Sequence, residues 1–442
     1  MKTYSYMLSS LLLLSAVSCK KFVDVSPTDR TTKAINFENM ENATSAVNGM
    51  YYDLAHQGAI YTNGLFTNIA LMGDELSTNN ILAAPFTTNT LSPQFGPVGS
   101  YWSGYYGIIN HANLILDNVT SVPNIPATEM KNWTGEAKFI RATAYMGLVQ
   151  LFGNVPLVTS SLWQNNETLP RSSTDQVYAL VLQDLKDAVA SLPHDYSDPN
   201  TDRLRATIGA ANATLTQYYM LKKDWPNAVA SATAVINDNM YQLETSYANI
   251  FTDNSVESIL EIAFDNISIS LLSNEFSARG GRGTTATYSP SPQVKAVFNA
   301  SPGDARFFTS VGGGTINKYT TVTSRDKLLR LGDLYLLRAE AEAQLNNLTD
   351  ALNDLNKIRT RAGVPPSVAS DQASLLLAIE NERVLELAFE GHRWFDLVRT
   401  GRANAIISVL KPATWKPTAV LMPVPQQQIS LNPALLPQNP GY

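Results

Sequence analysis

The sequence has one cysteine and four histidines in 442 residues. A single thiol excludes an intrachain disulfide, and His56, His111, His194 and His392 form no pair at metal-binding spacing. Neither a metal nor a cofactor is expected. Clusters of basic residues are also missing: 32 Lys and Arg stand against 38 Asp and Glu, for a net charge of −6. That balance argues against a nucleic-acid partner. Long apolar runs are scarce too, and past the N-terminus none could span a bilayer.

The one apolar run that does stand out is Met7 to Val17, which follows Lys2 and leads to Cys19. A cation, a short apolar stretch and small residues before a cleavage point make a secretory signal. At about eleven residues the run is too short to cross ~30 Å of hydrocarbon. Bacterial lipoproteins are cut just before such a cysteine and acylated on it, so residues 1–18 read as a lipoprotein signal peptide and Cys19 as the lipid attachment site. An ordinary secretory signal with an incidental thiol is the alternative, because Ala16 stands where leucine is usual. Residues 19–442 then contain no other cysteine, and with 44% hydrophobic residues in the whole chain they can bury a large core.

Helical periodicity dominates the rest of the chain. Helices are expected over Met40–Ala55, Tyr101–Asn118, from Asn132 to Gly153, and over Thr174–Leu192 with Thr174 as N-cap. Residues 210–240 and 331–361 read as helical hairpins, with Leu215, Tyr219 and Ala228, then Tyr335, Ala339, Ala351 and Leu355, at tetratricopeptide-like offsets. The two anchoring alanines lie much further apart than one repeat. An insertion at about 244–325 must interrupt the array, with a strand-like Ile259–Phe264 and a glycine-rich Arg279–Gly283, and it is free to sit on one rim. Between Gly73 and Val98 the chain is rich in Thr, Asn, Ser and Pro, and reads as a long ordered loop.

A helix over Ser374–Thr400 would align Glu382, Glu386 and Glu390 on one face. Aligned carboxylates raise the possibility of an enzyme, but the interleaved Arg383, Arg393 and Arg399 are what a salt-bridged helix requires. Seven of the 23 prolines fall in residues 412–442, so this tail should run extended along the body.

Five segments in order resemble one family. They are Cys19-Lys20-Lys21-Phe22-Val23-Asp24, the aromatic helix Trp102–Leu116, and Gly135–Ala142 running to Phe152-Gly153-Asn154-Val155-Pro156-Leu157. Asn381-Glu382-Arg383 with Glu390-Gly391-His392-Arg393-Trp394-Phe395-Asp396-Leu397, and Asn432-Pro433 to Pro437–Tyr442, complete the series. The chain resembles the SusD/RagB-like family of surface-exposed nutrient-binding lipoproteins, which partner TonB-dependent SusC-like outer-membrane transporters. The resemblance implies a single mostly α domain over 19–442. Its tetratricopeptide-like hairpins, at about 101–243 and 326–400, would support a loop-rich binding face, at about 73–100 and 244–325, with a few short strands. It also implies a lipid-anchored protein on the outer membrane at the cell surface that binds an oligosaccharide, or in some members a peptide, and does no catalysis. Glu136, Arg141, Glu382 and Arg393 would hold helices together.

Ligand residues are sought where the chain is irregular and aromatic, because sugars need flat apolar platforms flanked by amides, acids or arginine. One group is Asp74, Asn79, Asn80 and Phe86, leading to Trp102 and Tyr105. The other is Phe276, Arg279, Arg282 and Tyr288 in the insertion. In starch-binding members an aromatic arc joins the start of the corresponding helix to the insertion, which makes Trp102 the positional match. A secreted glycoside hydrolase is the competing class and would need two carboxylates about 5–10 Å apart across an open cleft. A repeat scaffold for protein partners is a third, and would need an exposed concave groove.

Overall fold

The structure, a computed structural model, describes residues 37–56, 64–196, 203–264, 271–276, 286–319 and 325–442, without the side chains of residues 271 and 274. Cys19, Arg279 and Arg282 therefore lie outside the described residues. Twelve helices form the body around the site: α1 Met40–His56, α2 Leu65–Met72, α3 Gly96–Asn118, α4 Ala127–Phe152, α5 Thr174–Ser191, α6 Ile208–Lys222, α7 Trp225–Ile236, α8 Leu331–Gln344, α9 Leu348–Arg361, α10 Gln372–Glu386, α11 Arg393–Arg399 and α12 Ala403–Leu410. The architecture is mostly α, as the periodicity predicts.

From α3 to α9 each helix packs on the next, and α10 closes on α8 and α9. The array is continuous in space although the insertion breaks it in sequence, because α7 packs directly on α8. The repeat-offset residues explain this. Ala228, Ala339, Ala351 and Leu355 are fully buried, and small side chains there let helix backbones approach. A second, smaller core joins α8, α9 and α10 through Leu336, Ala343, Leu355, Ile358, Leu375 and Ile379.

Local chemistry moves several boundaries. Ser173, not Thr174, caps α5: its hydroxyl accepts from the Gln176 amide while the Gln176 side chain accepts from the Ser173 N–H. Helix α3 begins five residues before Tyr101, with Pro97 in its first turn, where the missing amide costs nothing. The expected single helix over 374–400 is broken after Glu386. Phe389 and Gly391 both have positive φ, 66° and 80°, and a Cβ on residue 391 would lie 2.6 Å from the Phe66 ring, so only glycine fits this turn.

Two short antiparallel pairs complete the fold. Strand β1 (Leu76–Thr78) pairs with β3 (Tyr288–Pro290), and β2 (Ser258–Ile262) pairs with β4 (Asp326–Arg330). The strand-like stretch at 259–264 thus forms a strand one residue earlier. The tail runs along the body as expected: the Met422 amide donates to the Leu151 carbonyl at 2.7 Å, the Gln426 amide to that of Pro93 at 2.8 Å, and Asn439 Nδ2 to that of Phe152 at 2.9 Å.

Candidate functional site

The β1–β3 pair joins the two irregular segments, about 210 residues apart in sequence, into one surface. Leu76 faces Pro290, Ser77 faces Ser289 and Thr78 faces Tyr288. Side chains close the seam: Thr78 Oγ1 donates to the Thr287 carbonyl at 2.9 Å, and Ser291 Oγ donates to the Asp74 carbonyl at 2.7 Å. Asp74 can turn the chain into β1 because it adopts a left-handed conformation, φ 61°, which Asp tolerates better than most residues.

The aromatic candidates do not reach this surface. Trp102 is 4% exposed, with its indole edge-on to Phe152 at 5.1 Å and tilted over Tyr106 at 5.3 Å. Tyr105 is wedged against Gly147 of α4, where any Cβ would clash with its hydroxyl. Phe86 packs between Phe95 and Tyr101, and Phe276 packs against Tyr288, Tyr319 and Phe389. All five aromatics are buried, so burial corrects the expectation that Trp102, Tyr105, Phe86, Phe276 and Tyr288 stack on ligand. Phe86, Phe276 and Tyr288 pack within and beneath the irregular segments, whereas Trp102 and Tyr105 pack between α3 and α4.

Asn79 and Asn80 are exposed at the tip of the seam. Asn80 is partly occupied, since its side-chain oxygen accepts from the Leu82 amide at 3.0 Å and caps a short turn. That turn presents Ile81, 83% exposed, and Leu82, 77% exposed, beside the two amides. Sequence reasoning missed this apolar pair, although two adjacent aliphatics inside a polar loop are themselves a signal. It also missed Trp163, 65% exposed and flanked by Gln164, Asn165 and Asn166, and Phe308, 77% exposed within the insertion.

The carboxylates that suggested an enzyme are sealed from solvent. Arg330 donates from Nε to Glu390 at 2.6 Å and from Nη1 to Glu386 at 2.7 Å and Glu257 at 3.0 Å. Arg306 and Arg359 both sit 2.7 Å from Glu382, Lys318 Nζ is 2.7 Å from Glu390, and Arg361 joins Glu257 to Glu386. At Glu257 burial prevails and raises the carboxyl; by itself it would raise Glu386 and Glu390 too. At Glu390 the neighbouring Arg330 and Lys318 outweigh it and hold the carboxyl down to about 2, and Glu386 is held lower still by Arg361, Arg330 and Arg306. A glycosidase's general acid needs the opposite shift and an open cleft. Glu136 with Arg205, and Arg141 with Asp184, are likewise pairs between helices or between a helix and a loop. Among the described residues no group of three His, Cys, Asp or Glu side chains could hold a metal, and no helix is long and apolar enough to cross a membrane.

The fold is thus a helical-repeat scaffold on which strands from two irregular segments pair to make one surface. Comparison with known proteins gives it a family: residues 306–442 match the SusD family model, and residues 21–220 match a model described as "Starch-binding associating with outer membrane". The chain belongs to the SusD/RagB-like family. Among curated relatives, SusD-like protein P25 of Formosa agariphila is 25% identical, with all of both chains covered. A SusD-like protein of Bacteroides ovatus is 23% identical over 90% of this chain and 82% of its own. Among solved structures, a SusD homolog from Bacteroides thetaiotaomicron superposes with a TM-score of 0.81 at 20% identity, covering 94% of this chain and all of that one. A laminarin-binding SusD-like protein gives 0.78 at 24% identity, covering 92% and 100%.

Proposed function

We propose that this protein is an outer-membrane lipoprotein, held at the cell surface by a lipid on Cys19, that captures an oligosaccharide and passes it uncleaved to a TonB-dependent SusC-like transporter. The observation that carries the reading is the β1–β3 seam, which joins residues of two irregular segments into one surface on a helical scaffold. Exposed aliphatics beside exposed amides, Ile81 and Leu82 next to Asn79 and Asn80, are the mixture a sugar's C–H faces and hydroxyls require. The family model named for starch binding at the outer membrane and the laminarin-binding relative support the same ligand class. The sealed, arginine-paired acids support binding without hydrolysis.

The test is affinity electrophoresis of the protein through gels containing starch, laminarin and other purified polysaccharides, with the double variant Asn79→Ala/Leu82→Ser. Because both side chains are exposed, the variant should fold normally and lose about tenfold or more in affinity for the retained glycan. An unchanged affinity removes the seam from the site. Retention by a peptide library with none by any glycan would favour the peptide-binding alternative. Reducing ends released from a bound glycan, and abolished by one acid substitution, would return the protein to the hydrolases.

A further inference from the structure

A cleft of about 460 Å³ opens between α10 and α11, away from the exposed tip of the loop seam. Its size lies within the range of small-molecule sites. One wall is apolar, formed by Leu376, Leu377, Val384 and Leu387. Across from it stand Arg393 and Arg402, which share a single carboxylate: Arg393 Nη1 is 3.3 Å from one Glu380 oxygen, and Arg402 Nε is 3.1 Å from the other. Each guanidinium carries five N–H donors, so most of them lie outside this ion pair. Deeper arginines are committed elsewhere, Arg399 to Glu340 and Asp396, and Arg383 to Asp333 and Asp396.

Besides Gln344 and Thr400, the lining includes Glu75, a buried residue directly before β1. Its Oε1 accepts from the Phe389 amide at 3.2 Å, and its Oε2 has no hydrogen-bond partner. A buried carboxyl oxygen without a donor carries a desolvation penalty that a ligand could relieve. Arginines with unused donors, an unsatisfied acceptor and an aliphatic wall are thus assembled around one space.

We propose that this cleft is a second ligand site, taking a neutral hydroxylated molecule of mono- or disaccharide size. Charge decides the class. Four arginines line the cleft against the carboxyls of Glu75, Glu340, Glu380 and Asp396, and with Glu75 raised by burial to about 7 the sum stays within one charge of zero, so no multiply charged ligand is favoured. A hydroxyl satisfies both sides: it can donate to a carboxylate while accepting from a guanidinium, and a pyranose ring offers an apolar face to Leu376 and Leu387. The site uses the glycan reading only to choose its probes and does not need the loop seam.

Saturation-transfer NMR on the full chain with glucose, maltose, laminaribiose and glucuronate tests the assignment, using Glu75→Gln and Leu377→Trp. Leu377 is half exposed at the cleft, so a tryptophan there blocks the space without entering the core. The expected result is transfer from at least one neutral sugar at millimolar concentration, weakened about tenfold or more by each variant and unaffected by Asn79→Ala/Leu82→Ser. If Glu75→Gln does not fold, Leu377→Trp alone decides. Absence of transfer from every neutral sugar overturns the site, as does transfer that survives Leu377→Trp. Binding of glucuronate alone also overturns it, because the cleft would then be an anion site. Unchanged polysaccharide retention by Asn79→Ala/Leu82→Ser, with this signal intact, would instead count against the loop-seam reading.

Discussion

Replacing Arg330 with methionine is the most direct test of how the scaffold holds its inserted segment. Arg330 ends β4 and reaches Glu257, Glu386 and Glu390 at once, each within 3.0 Å. Methionine keeps the apolar stem and much of the volume, so the loss is mainly of charge and hydrogen bonds. Around it, Arg306, Lys318, Arg330, Arg359 and Arg361 face Asp304, Glu257, Glu382, Glu386 and Glu390, an even balance of buried or half-buried charges. Removing one cation leaves an uncompensated buried carboxylate, which costs about 3–5 kcal/mol.

The pH dependence makes the argument sharper. Glu390 in the folded protein is held down to about 2 from an ordinary 4.5, so its pairing stabilises the fold above pH 4.5 and is lost as pH falls toward 2. That shift corresponds to roughly 3 kcal/mol. Glu386 moves in the same direction and adds to the window. Arg330→Met should therefore be less stable than wild type by about 3–5 kcal/mol at pH 7 in urea unfolding followed by tryptophan fluorescence, with the gap narrowing below pH 4.5. Adding Glu386→Gln alone should recover part of the loss, because four cations then face four carboxylates and Glu390 keeps Lys318 as its partner. A deficit under about 1 kcal/mol at pH 7, or one that does not change with pH, would refute the account.

Trp102→Ala should cost about 3–5 kcal/mol in the same unfolding assay and leave glycan affinity of the folded fraction unchanged; lost affinity with intact stability would return the indole to the binding site. Glu75→Gln should flatten part of the stability profile between pH 4.5 and 7. Burial raises Glu75 to about 7, so its contribution is fully present below 4.5 and falls by roughly 3 kcal/mol as pH rises through 7; thermal melts at pH 4 and pH 8 that shift equally in both proteins would contradict this. Cys19→Ala should move folded protein from the membrane to the soluble fraction on cell fractionation, and retention at the membrane when the partner transporter gene is deleted would rule out the lipid assignment.

Much of the scaffold was legible in the sequence because it depends on period and on side-chain size, both local properties. Ala228, Ala339 and Ala351 could be placed at helix contacts from spacing alone, and the structure buries each completely. The break between α10 and α11 was not legible, since Glu382, Glu386 and Glu390 keep helical spacing across a turn that only Phe389, in a left-handed conformation, and Gly391 reveal. The candidate site was half legible. Composition located both irregular segments, and β1–β3 pairing does bring them together, but pairing across about 210 residues leaves no local trace. Trp102 misled for a physical reason: an aromatic at a helix start beside a polar loop has the same local sequence whether the ring faces solvent or, as here, Phe152.

The position of the insertion is set by charge rather than by repeat geometry. A segment inserted between repeat helices could sit loosely on a rim, since the helices bury their own faces without it. Here Glu257 and Glu261 beside or within β2, Arg306 and Lys318 beyond it, and Lys327 and Arg330 in β4 all carry buried charges with partners outside their own turn of chain, Arg306 in addition to the neighbouring Asp304. Arg306, Lys318 and Arg330 reach Glu382, Glu386 and Glu390, and Glu257 reaches Arg361 of α9, so four separate points of the insertion and its exit strand are tied to α9, α10 and the turn after α10. Charges buried in pairs do not slide, because any displacement leaves an ion unpaired at several kcal/mol. The same turn places the Phe389 amide on Glu75, one residue before β1. β1 is thereby fixed to the turn that carries the buried cluster, and β3 is fixed through its pairing with β1, an arrangement that gives loops with little secondary structure of their own the fixed geometry that selective binding needs.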